Sequence, residues 1–96
     1  MMAQLLDDNT HYLTAKLTLQ PGDKHEAEVG DGVHKTYICL RGAGVSRVTN
    51  FPKTLLQGNF RALKPGVSIE VPGGARFSLE NSTEGRLILL EVTLYV

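Results

Sequence analysis

From His11 to Gln20 the chain alternates strictly, with Leu13, Ala15, Leu17 and Leu19 on one side and Tyr12, Thr14, Lys16 and Thr18 on the other. That period of two predicts a half-buried strand. Val67, Ile69 and Val71 alternate with Ser68 and Glu70 in the same way. The segment Arg86 to Val96 differs, because both of its sides are apolar: Leu87 and Leu89 on one, Ile88, Leu90, Val92, Leu94 and Val96 on the other. A strand of this kind is expected to be covered twice, by the core and by a partner subunit, and Tyr37-Ile38-Cys39-Leu40 carries the same signature. Pro and Gly recur between these runs, at Pro21-Gly22, Gly30-Asp31-Gly32, Gly42-Ala43-Gly44, Lys64-Pro65-Gly66 and Pro72-Gly73-Gly74, and they leave no long helical window. The pattern predicts an all-β sandwich or closed barrel. Residues 1–10 read two ways, as a short helical turn around Leu5 and Leu6 or as an arm laid on a neighbour.

Composition narrows the picture. A chain of 96 residues holds one core, so residues 1–96 are read as a single domain. So small a domain commonly gains stability by pairing with a copy of itself, and a homodimer is expected. Ten Lys and Arg balance ten Asp and Glu without a basic stripe, which removes the electrostatic footprint of nucleic-acid or anionic-membrane binding. Cys39 is the single cysteine, in an apolar run, and reads as a small buried group. With no span of roughly 18 apolar residues and no signal-peptide pattern at Met1-Met2-Ala3-Gln4, a cytoplasmic protein is expected.

The glycines and prolines also fall into two spaced motifs. Gly22 to Gly42 forms the first such frame, and Gly66, five residues, Pro72-Gly73-Gly74, two residues, Phe77, three residues and Asn81 form the second. Both resemble the two motifs of the cupin superfamily, over roughly Ala15 to Tyr95. The resemblance implies a cupin-type β-barrel, a jelly roll also described as a double-stranded β-helix. Leu17 to Gly22, Leu79-Glu80-Asn81 and Leu89 to Val92 further resemble the barrel of type II mannose-6-phosphate isomerases and the C-terminal domain of mannose-1-phosphate guanylyltransferases.

Cupins commonly hold a metal on three ligands of the first motif and one histidine of the second. By the resemblance these positions fall on Glu28, Gly30, Lys35 and Phe77, of which only Glu28 can bind a cation. An ammonium at Lys35 opposes a metal outright. The metal is therefore expected to be lost, with no cofactor in its place. Glu28 and Lys35 would instead project into one interior, as an ion pair or as solvated groups at the mouth.

The leading reading is a metal-free, non-enzymatic cupin that binds a small polar ligand, a sugar or sugar phosphate, or that acts as a dimeric interaction module. Glu28, Lys35, Tyr37 and Phe77 would line the cavity, with Lys35 as the anion contact and Phe77 as core or apolar floor. The alternative is a sugar-phosphate isomerase or epimerase. It would work through a displaced metal site of His25, Glu28 and His34, or through His34 and Tyr37 with Asp31 as an acid–base set. On a regular strand His34 and Tyr37 point to opposite faces, so that set needs a bulge.

Overall fold

The computed structural model describes residues 1–8, 11–50 and 59–95. The regular elements among them are all strands: β1 (Met2–Asp8), β2 (Tyr12–Leu19), β3 (Lys24–Glu28), β4 (Val33–Arg41), β5 (Gly44–Asn50), β6 (Asn59–Leu63), β7 (Ser68–Val71), β8 (Ala75–Glu80) and β9 (Leu87–Tyr95). They form two antiparallel sheets, ordered β1-β2-β9-β4-β7 and β3-β8-β5-β6. Leu17, Leu19, Tyr37, Cys39, Leu87 and Leu89 of the first sheet pack against Val48, Ala75, Phe77 and Leu79 of the second.

The alternation read from the sequence sets the faces. Ala15, Leu17 and Leu19 are buried, as are Ile69 and Val71, whereas Leu13 at the end of β2 is half-buried. In β9 the Leu87 and Leu89 side is buried and Ile88, Leu90 and Val92 lie half-buried on the outer side. Val96 lies outside the described residues. Residues 2–8 are neither helical nor free of the sheet: β1 adds to the edge of β2 with a register shift between Leu5 and Asp7. Every residue of β1 is exposed.

Turn chemistry fixes how the strands connect. Gly66 adopts φ 92°, which an L side chain rarely tolerates, and this lets its N–H reach the Cys39 carbonyl at 2.9 Å. Val67 accepts in return from Cys39 N–H, also at 2.9 Å, so the Lys64-Pro65-Gly66 turn is tied to β4. Asn81 is wholly buried where the chain leaves β8. Its Nδ2 donates to the Leu19 and Gly85 carbonyls at 2.9 and 2.7 Å, and its Oδ1 accepts from Thr83 N and Oγ1.

The two outer sides differ in character. On the second sheet charges lie in compensated sets: Arg76 near Glu28 at 3.6 Å, Lys24 near Glu26 at 3.7 Å, and Arg47 over the Phe60 ring at 5.0 Å. On the first sheet Ile38 faces Leu90, Thr36 faces Val92, and Ile88 continues the same row. That row is the second apolar side read from β9 in the sequence, and Ile88, Leu90 and Val92 in it are half-buried.

Candidate functional site in the barrel interior

Between the sheets, the apolar core gives way to polar groups along β4 and β9. Tyr37 stands opposite Glu91, and Lys35 opposite Thr93. The Tyr37 hydroxyl donates to Glu91 Oε2 at 2.6 Å, and Lys35 Nζ lies 3.3 Å from the same oxygen. Glu91 is 8% exposed, so its charge is placed in a low-dielectric setting with two donors holding it. Lys35 keeps 28% of its side chain in solvent, and the cluster thereby reaches the outside.

His25 joins from the other sheet. It lies opposite Leu79 on the inner side of β3, with its ring 5.5 Å from that of Phe77. Phe77 is in turn 5.1 Å from the Tyr37 ring. Burial of the imidazole holds the His25 pKa below the usual histidine value; Lys35 pushes the same way and Glu91 opposes it. His25 is thus kept neutral at pH 7, able both to donate and to accept a hydrogen bond. Burial, reinforced by the Glu91 carboxylate, pushes the Tyr37 hydroxyl far above the ordinary tyrosine range, so this phenol stays protonated. Beside them Thr93 is 4% exposed, and its Oγ1 is the one buried side-chain oxygen or nitrogen with no hydrogen-bond partner among the described residues.

The residues singled out in the sequence fall in three places. Lys35, Tyr37 and Phe77 face the interior together, whereas Glu28 does not, which corrects the expectation that Glu28 and Lys35 share one interior. Val29 is anchored in the core, so the two-residue period of β3 turns Ala27 and His25 inward and Glu28 outward, opposite Arg76. Counting along the motif fixes which residue comes at each step but not which face it takes. The counter-charge for Lys35 comes from Glu91 instead.

The displaced metal set is likewise not assembled. His25 points in, Glu28 points out beside Arg76, and His34 lies outside, 3.8 Å from Glu70. Among the described residues no three His, Cys, Asp or Glu side chains converge. The donors that do approach one another inside, His25 and Glu91, share their space with the Lys35 ammonium, and Glu91 Oε2 already serves two donors. These residues do not fit a divalent metal. His34 and Tyr37 lie on opposite faces of β4, without the bulge a joint acid–base role requires. Asp31 is exposed in the turn before β4.

Sequence reasoning did not single out Glu91 or Thr93, yet the signal was present. Both continue the Leu87 and Leu89 side of β9, so alternation alone puts a carboxylate and a hydroxyl on a core-facing row.

No family model matches the chain, and no curated protein matches it. Solved structures do. A Thermus thermophilus protein, TT1209, superposes with TM-score 0.84 and 26% identity over 99% of this chain and 83% of its own. The Cupin_2 domain of an XRE family transcriptional regulator from Enterobacter cloacae aligns with TM-score 0.77 and 17% identity, covering 99% of this chain and 96% of that domain. The fold is a cupin β-barrel. A third neighbour, from Thermotoga maritima and described as a predicted oxalate decarboxylase, has TM-score 0.73 and 25% identity over 88% of this chain and 66% of its own. None of these three is described as a mannose-6-phosphate isomerase, so the narrower resemblance within cupins rests on the sequence segments alone.

Proposed function

We propose that this cupin is a binding protein, not an enzyme, and that the mouth of its barrel takes a small polar molecule of the sugar or sugar-phosphate class. One observation carries this reading: Thr93 buries a hydroxyl with no partner among the described residues, directly opposite Lys35 and two residues from Glu91. A buried polar group left unpaired costs about 1–3 kcal/mol, and such groups persist where something else supplies the bond. Lys35 across the ladder and Glu91 along β9 bring further donors and acceptors to the same inner row, with Tyr37 bonded to Glu91. Catalysis is disfavoured by the commitment of the Tyr37 proton to Glu91 and by the scattered positions of His34 and Asp31.

Thr93→Val tests the reading because it keeps the shape and removes the hydroxyl. The free protein should become more stable by about 1 kcal/mol, raising Tm by roughly 4–8 °C. The stabilisation conferred on the wild type by D-mannose or D-glucose in a thermal-shift series should at the same time be lost. A variant that is no more stable than the wild type and responds equally to the sugars would sink the proposal.

A second reading, an interaction module built on a homodimer, is favoured by the row Ile38, Ile88, Leu90 and Val92 on an outer side whose counterpart on the other sheet is charged. Of the two outer sides this one is the more apolar, with Lys16 standing beside Leu90 in it, and a two-fold contact would bring it against its own copy. Leu90→Glu is expected to change the mass in solution from two chains to one while the far-ultraviolet dichroism stays unchanged. A wild-type protein that already travels as one chain would remove this reading.

A further inference from the structure

Taking the barrel mouth to be a ligand site, we infer that Glu91 sets its charge selectivity, making it a site for an uncharged polyhydroxyl molecule and closing it to phosphates and carboxylates. The Lys35 ammonium, the obvious anion contact by position, is already matched by a carboxylate at 3.3 Å. An anion drawn to Lys35 would lie within a few ångströms of Glu91 as well. Attraction and repulsion then nearly cancel, leaving the desolvation of the incoming charge uncompensated.

Glu91 cannot swing away to relieve this, because the Tyr37 hydroxyl holds the same oxygen at 2.6 Å and the side chain is packed at 10% exposure. His25, kept neutral, adds no second cation. A cationic ligand meets the converse difficulty at Lys35. A ligand hydroxyl meets neither, since each one donates and accepts at once.

The groups left available suit hydroxyls. Thr93 Oγ1 has no partner, Glu91 Oε1 accepts no hydrogen bond among the described residues, and the Lys35 ammonium has donors to spare beyond its contact with Glu91.

The test is nuclear magnetic resonance titration of amide signals, with D-glucose and myo-inositol as neutral probes and inorganic phosphate and D-glucose 6-phosphate as anionic ones. In the wild type the neutral probes should perturb Lys35, Glu91 and Thr93, glucose 6-phosphate should bind no better than glucose, and phosphate should leave the mouth unmoved. This comparison needs no variant. Glu91→Gln retains an acceptor for Tyr37 and removes the countercharge, so phosphate affinity should rise by about tenfold or more, and Lys35→Met on that background should abolish the gain. Tighter wild-type binding of glucose 6-phosphate than of glucose, lost in Lys35→Met, would overturn the inference while leaving the barrel site intact. Unchanged phosphate affinity in a folded Glu91→Gln protein would also overturn it. If no probe of either class perturbs the mouth in either protein, the binding reading itself falls, and the charge rule with it.

Discussion

Gly42→Ala is expected to cost the barrel at least about 4 kcal/mol of stability. Gly42 sits at φ 90°, and a Cβ built there would overlap the backbone carbonyl oxygen of Arg86 and approach Leu87 Cα at 3.0 Å. Neither neighbour can rotate away as a side-chain tip could, because both belong to the main chain where it enters β9. The left-handed backbone adds roughly 1–2 kcal/mol for any L side chain, and the overlap adds more. A total of at least about 4 kcal/mol is a large share of the roughly 5–10 kcal/mol that holds a domain of this size together, and it should appear as a large fall in the urea midpoint. Urea denaturation checks it, with Gly30→Ala as the control: among the described residues nothing beyond its own chain neighbours lies within 4 Å of a Cβ at Gly30. A Gly42→Ala protein as stable as Gly30→Ala would show that the first motif's closing glycine is dispensable.

Asn81→Ala is expected to lower stability by about 3 kcal/mol or more, read as a fall in the urea midpoint with unchanged slope. The side chain bridges the end of β2, through Leu19, and the turn that leads into β9, through Gly85, while ordering Thr83 between them. Removing it leaves the Leu19 carbonyl without its buried donor. Asn81→Asp should be no better despite its matching shape, because a carboxylate would present acceptors to two carbonyl oxygens. A small loss in both variants would mean that the asparagine marks the motif without bracing it.

These two positions show what a motif encodes. Gly42, Gly66 and Asn81 are legible in the sequence because each answers a backbone demand: a positive φ, a close approach, an orphaned carbonyl. Such demands tolerate few residue types, so spacing alone announces the barrel. The alternation in β2, β7 and β9 was legible for a related reason, since a pleated strand with one wet side imposes a period of two.

The interior site was only partly readable. Lys35 and Tyr37 were placed inside correctly because β4 runs regularly from Val33 to Cys39 opposite β9. Glu28 was misplaced because its face depends on Val29, whose burial sets the phase of β3, and a residue count carries no phase. Glu91 was passed over because the apolar residues around it read as core. In physical terms it is the opposite of filler: a buried carboxylate persists only with partners, and its partners here are Tyr37 and Lys35. The countercharge inherited from the motif count was thus wrong in identity and right in kind.

The row of apolar residues on the outer side of β9 was legible as well, because Ile88, Leu90 and Val92 fall on the side opposite the buried Leu87 and Leu89.

The central claim, that the polar cluster in the barrel mouth is a ligand site, is tested most directly by diffraction from crystals of the protein soaked in D-glucose and, separately, in D-glucose 6-phosphate. The account expects a glucose ring seated against Lys35, Glu91 and Thr93, with a hydroxyl within hydrogen-bond distance of Thr93 Oγ1 and the Lys35–Glu91 pair still in place. An interior that stays closed around a Thr93 satisfied by water alone, with sugar absent at every concentration tried, would contradict it.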